Sequence, residues 1–564
     1  MPTSVTPFAS GPPEPSRVSI TRVPLVVFRT GISKLKRAWL ATQVSHRGKY
    51  SIERLIALEE YTRSTSLLRV VLVCLGTPLP LIILVILQES LPLERPEDGW
   101  RANWGFWIRA AILGGITSHG ITVQLNYLLQ GINVSLRQFA FQFVFMAITY
   151  TAASVMVASL WVFPIPYMII VMTLPFLLLM VGSMRAILGP STFRSVLADR
   201  DQLQRFHRAV SIQVLMVVMY PAYQVLFKSV SGSAYELPVF LLLPVVKMVL
   251  KNLVSFCLAD IADLIPENII FTVHFFNAVY LATCMQSSSS SFAVVVIMII
   301  DLAETGISLK GIYYSSTSIM KQLHQTIDVA TVGDSLVNAA CLLCQCHEEF
   351  TVEERTQVQV HSFFPHQLSV AGRRTLNNLD NYARGSTKNI VAAIPSVQHI
   401  ASLRKTLSIL FTVECIVLAE YVECIIPLLY SNYVVMMVHL PSARYHTELD
   451  GVTEVNVSST VRAVFIYGLL ELGSFVLFAF IVKKSCGIRA LYHLAFVLET
   501  QMLSIQSKIM GWMLITLGFR VVHFGTPLIC AVVEELQLTI LIFCVGIDFT
   551  FQFDWIRAQN ASDG

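Results

Sequence analysis

Twelve times along this 564-residue chain a run of apolar residues is long enough to carry a helix through a bilayer. A spanning helix needs roughly 20 mostly apolar residues, because in hydrocarbon every backbone polar group must be satisfied within the segment. The runs are Leu68–Leu87, Trp104–Leu129, Phe139–Val162, Tyr167–Met184, Val210–Phe227, Leu237–Leu258, Ile269–Met285, Phe292–Leu309, Leu407–Val438, Val464–Ile481, Leu503–Phe524 and Leu528–Ile547. The second carries Arg109, His119, Gln124 and Asn126, and the last two carry Arg520, Glu534 and Glu535, so the range is 10 to 12 spans. Composition agrees: 13% of residues are charged and 54% hydrophobic, whereas soluble chains carry about 25% charged residues. The expected fold is all-α, a polytopic transmembrane helix bundle of about 12 spans.

Lys and Arg collect in loops that stay cytosolic. Residues 1–66 carry ten basic against four acidic side chains, after a Pro/Ser-rich opening too poor in large apolar groups to fold alone. They read as a cytosolic basic tail, partly disordered, with no cleavable signal; its basic and apolar residues suit a helix lying on an anionic leaflet, or a solvated linker. Alternating from there places the arginine-rich stretch after the fourth span and Lys483, Lys484 and Arg489 inside, with both termini cytosolic. The chain then divides into the tail, a membrane bundle of about eight helices (67–309), a cytosolic loop (310–405), a second bundle of about four (406–547) and a short cytosolic tail (548–564). Of three N-x-S sequons, Asn456 falls outside, where a glycan can be added, while Asn133 and Asn560 fall inside. No predicted outer loop holds a cysteine pair, so the eleven cysteines form no disulfide framework.

Ionisable groups inside spanning helices are costly and mark functional sites. In the eighth span Asp301, Glu304, Thr305 and Ser308 share one face at i, i+3, i+4, i+7; in the sixth, Lys247 and Lys251 share a face at i, i+4. Lys247 and Asp301 lie at similar depth, with Lys251 and Glu304 one turn deeper, so the two helices are expected to touch through a ladder of ion pairs. The ladder reads either as a register lock between helices or as a proton or cation relay. In the ninth run Glu420 and Glu423 share a face as a second acidic position, Glu414 points nearly the other way, and Pro427 is expected to kink the helix. Pro244 sits next to Lys247 as another break of the kind that marks binding sites in carriers. Arg520 and Glu534 flank a predicted turn and are expected to pair.

In the 310–405 loop Cys341, Cys344, Cys346 and His347 have metal-like spacing but lack a second cysteine pair, so neither metal nor cofactor is expected. Phosphate-loop, H-E-x-x-H and G-x-S-x-G motifs are absent and the acidic outer loop Glu94–Asp98 reads as a hydrophilic turn, which argues against an enzyme. The charge of +4 gives no nucleic-acid surface. A major-facilitator carrier places its long cytosolic loop after the sixth span, whereas here it follows the eighth. The partners expected are the lipid bilayer of a plasma membrane or endomembrane, a small solute or ion, and a cytosolic protein at 310–405. The pattern points to a secondary transporter with proton coupling, its coupling or gating residues being Asp301, Glu304, Lys247, Lys251, Glu420 and Glu423. An ion channel, and a receptor or scaffold signalling through the 310–405 loop, are the alternatives.

Overall fold

Apolar helical runs this long fold by burying their polar stripe against one another and leaving the apolar face outward, and a computed structural model shows that arrangement. It describes residues 50–129, 132, 134–258, 265–326, 335–345, 358–363, 366–384 and 395–524. Fifteen helices of ten residues or more occur among them: α1 (Ile52–Ser64), α2 (Leu67–Glu89), α3 (Trp104–Leu128), α4 (Leu136–Leu160), α5 (Thr173–Ala198), α6 (Arg200–Val230), α7 (Glu236–Cys257), α8 (Ile265–Ser287), α9 (Ser291–Thr326), α10 (Leu336–Gln345), α11 (Val370–Arg384), α12 (Pro395–Met437), α13 (Val457–Cys486), α14 (Ala490–Thr500) and α15 (Met502–Gly518). Among the described residues no strand forms, and a single antiparallel bridge joins His446 to Val521.

Eight helices are long and apolar enough to cross a membrane: α2, α4, α5, α6, α7, α8, α9 and α13. Each corresponds to a run legible in the sequence. Three further runs are helical but fall outside that set for visible reasons. Helix α3 buries Arg109 and Gln124, α12 buries Glu414, Glu420 and Glu423, and α15 has only 17 residues with Lys508 among them. The twelfth run, Leu528–Ile547, lies outside the described residues.

Helix α8 is the axis of the bundle, buried along the whole apolar stretch of its span. Around it the outer helices turn large apolar side chains outward, such as Phe141, Val144 and Ile148 on α4 and Phe292, Val295 and Ile299 on α9. That much exposed apolar surface suits lipid and not water. Close approach of α12 and α13, the most extensively packed pair, requires a glycine at one crossing. A Cβ on Gly468 would stand 2.9 Å from Leu428 side-chain atoms.

Two segments differ from the sequence reading. Residues 50–64, assigned to the tail, form α1 with Ile52 to Leu58 buried, started by Ser51, whose hydroxyl accepts the Arg54 amide at 3.3 Å. The 310–405 boundaries also fall inside helices, because α9 continues to Thr326 and α12 begins at Pro395. Within that stretch α10 buries Leu336, Ala339, Ala340, Leu343 and Cys344, and residues 358–363 and 366–372 run along α1. There Glu53 accepts the backbone amides of Ser362 and His366 at 2.9 and 2.7 Å, and Glu60 accepts that of Ser369 at 2.9 Å. The described part of this loop is docked on the bundle, not a freely solvated linker.

Candidate functional site

Lys247 sits on α7 six residues, nearly two turns, beyond Leu241, where the helix tightens without leaving the helical region (φ −69°, ψ −12°), and three residues beyond Pro244. Its side chain reaches two other helices at once. Lys247 Nζ donates to Glu423 Oε1 of α12 at 2.6 Å and stands 3.9 Å from both Asp301 and Glu304 of α9, while Lys251 Nζ lies 4.0 Å from Glu304. The sixth and eighth spans therefore meet through the residues that helical spacing picked out. The tightest partner, however, is Glu423, which the sequence reading had placed in a separate acidic position. Six lining residues named by sequence, Lys247, Lys251, Asp301, Glu304, Glu420 and Glu423, surround one cavity of about 70 Å³. A water molecule needs roughly 10–15 Å³ measured this way, so several fit.

Helix α8 adds a residue that sequence reasoning missed. Its α-helical ladder loosens into a π-helical turn at Ile270–His274, a departure frequent at functional sites. His274 Nδ1 meets Glu423 Oε1 at 2.9 Å, and since a carboxylate oxygen only accepts, His274 carries a proton on Nδ1. Helix α13 adds two more. Tyr467 donates its hydroxyl to Asp301, and Glu471, buried one turn on, lies within electrostatic reach of Asp301, Glu420 and Glu423. The signal was present in the tenth run, where Tyr467, Glu471 and Ser474 repeat at i, i+4, i+7. Thr305 donates to Glu420 Oε1 at 2.9 Å, which fixes one oxygen of that carboxyl, while Oε2 has no hydrogen-bond partner.

Glu414 points away from this cavity, as its spacing requires. It pairs with Arg54 of α1 (Nη2 to Oε1, 2.8 Å; Nε to Oε2, 3.2 Å), and His493 Nε2 meets Oε2 at 3.1 Å. Nine residues separate Glu414 from Glu423, about 13 Å along α12. Toward the other end of the bundle Arg109 pairs with Glu89 at 2.8 Å, where His446 also reaches it at 3.0 Å. Arg520 pairs with Glu448 at 3.1 Å and donates to Thr283 at 2.6 Å. Glu534, the partner expected for Arg520, lies outside the described residues. Lys508 and Glu267 form a further buried pair at 2.7 Å.

The cysteine cluster has no such setting. Burial pushes the Cys341 thiol up to about 12, so it is a packed thiol and no nucleophile. Cys346 and His347 lie outside the described residues. Among the described residues no three His, Cys, Asp or Glu side chains converge to hold a metal ion. The fold and this cavity define a class: an all-helical protein with eight helices able to cross a membrane and a charged, water-sized cavity among them. No protein family, curated protein or solved structure matches the chain.

Proposed function

We propose that this protein is a secondary transporter of a small solute or ion, coupled to protons through the buried carboxyls of the central cavity. The observation that carries this reading is the convergence of Lys247, Lys251, Asp301, Glu304, Glu420 and Glu423 on one space with room for water. A pure register lock matches each buried charge to one partner, since an unmatched charge in a membrane helix is costly. Here four acids face two lysines, beside a helix, α8, that loosens at Ile270–His274.

In this reading α3, α12 and α15 also span, which with Leu528–Ile547 makes twelve, and both termini are cytosolic. Asn456, at the start of α13, then faces the lumen and carries a glycan. Digestion with a peptide N-glycosidase should raise the mobility of the wild-type chain and leave Asn456→Gln unchanged. A glycan found instead at Asn133 would overturn this topology.

A rapid pH step across proteoliposomes tests the function. Wild-type protein should give a transient charge movement that Asp301→Asn removes. Two silent proteins, with the mutant measurably less stable, would leave the cluster a structural element.

A further inference from the structure

Around the cavity the charges of the two signs do not balance. Glu471 adds a fifth carboxyl within electrostatic reach of Asp301, Glu304's neighbour on α9, and of Glu420 and Glu423. Only Lys247 and Lys251 oppose the five, so the fully ionised cluster carries three uncompensated negative charges, or two if His274 is protonated. Tyr220, Tyr467, Cys415 and Cys424, the other titratable groups facing these side chains, add no positive charge. In a membrane interior such an excess is held off by protons on the carboxyls or by a bound cation. One carboxyl is already arranged to receive either. Glu420 lines the cavity, is 2% exposed, has one oxygen fixed by Thr305 and the Ser474 hydroxyl of α13 beside its carboxyl, and makes no hydrogen bond of regular geometry through Oε2.

Resting on the transport reading above, we propose that the cavity is an exchange site, at which a small monovalent cation and protons compete for the same carboxyls. Size and ligand set select the cation. A cavity of about 150 Å³ takes benzene, so one of about 70 Å³ admits an inorganic ion with a few waters and excludes a sugar-sized solute. With Lys247 and Lys251 among the lining groups offsetting part of the negative charge, the site suits a singly charged ion held by one or two carboxylates, hydroxyls and water. In the exchange, the carboxyl O–H bond breaks, its proton leaves to water, and the carboxylate keeps the electron pair that faces the incoming cation. Charge is conserved with no other reactant. Glu423, held by Lys247 and His274, stays ionised throughout, and Glu420 with Glu471 carries the exchanging proton.

The test is proton release from full-length protein in nanodiscs, in weakly buffered solution with a pH-indicating dye. Sodium, potassium and lithium chlorides are added in turn, with N-methylglucamine chloride as an oversized control. At least one of the small cations should release about one proton per protein, saturably, and N-methylglucamine none. Glu420→Gln should cut that release by at least half; Glu471→Gln is a second variant should the first fail to fold, thermal unfolding reporting on both. Silence of folded wild-type protein in every salt, or undiminished release in both folded variants, overturns the exchange. A pH-step transient in vesicles of the same protein would then leave the transport reading standing.

Discussion

Lys247→Met is expected to destabilise the protein by about 3–5 kcal/mol, the usual cost of removing one partner from a buried ion pair. It leaves Glu423 without its 2.6 Å donor and takes from Asp301 and Glu304 the cation 3.9 Å from each. The double variant Lys247→Met/Glu423→Gln should recover at least half of that loss, because the glutamine needs no counter-charge while still accepting from His274. Thermal unfolding of purified protein in detergent gives the comparison. The geometry also ranks two charge swaps. Exchanging Lys247 with Glu423 should rescue better than exchanging it with Asp301, since a pair at 2.6 Å tolerates reversal and one at 3.9 Å must rebuild its contacts. Equal rescue, or better rescue through Asp301, would contradict the arrangement.

Much of this site was legible because buried charges in apolar helices stand out and helical periodicity fixes which share a face. Asp301, Glu304, Lys247 and Lys251 follow from spacing alone. What spacing does not contain is how a third helix is rotated about its axis. Glu420 and Glu423 were visible as an intramembrane pair, yet only packing against α7 and α9 brings them to the same cavity. His274 was hidden for a different reason: an α-helix and a π-helical turn look alike in an apolar sequence, and the turn sets where the imidazole points. Arg54 was hidden by its neighbours. With Glu53, Glu59, Glu60 and Arg63 around it, α1 has a surface composition, and its burial depends on Glu414, 360 residues away.

Along α12 the buried charges form separate layers, and their separation bears on which ones can move. Glu414 is fully committed, with Arg54 on both oxygens and His493 on one. Glu89 at the opposite end is held by Arg109 and His446. Glu89 leaves Oε1 and Glu420 leaves Oε2 without a hydrogen-bond partner, but Glu420, with Lys251 and Glu304 4.0 Å apart beside it, lines the central cavity. Room for water, and not a lack of partners, is what sets the central layer apart as the place for an exchange.

Arg54→Met should detach α1 together with the segment that rides on it. Arg54 is 2% exposed and Glu414 1%, so the substitution leaves a buried carboxylate facing only His493, at a cost of about 3–5 kcal/mol. The loss is local before it is global. Helix α1 holds residues 358–363 and 366–372 through Glu53 and Glu60, and α10 packs against α1 as well, so all three lose their support together. Limited trypsin digestion should therefore cleave at Arg373 or Arg374 in the variant under conditions where wild-type protein resists, with the central cavity's proton release unchanged. Acid should loosen the same unit in wild type. His366 stacks near Phe496, and burial, with the Arg54 charge beside it, lowers its pKa from 6.5 to about 4. A histidine kept neutral in the fold takes up its proton only when released, so its contribution to docking is lost as pH falls from about 6.5 toward 4. Cleavage at Arg373 or Arg374 should rise over that window, and His366→Phe, which keeps the ring and removes the titration, should flatten the rise. A pH-independent digestion pattern in wild type would show that the docked segment is held by Glu53 and Glu60 alone.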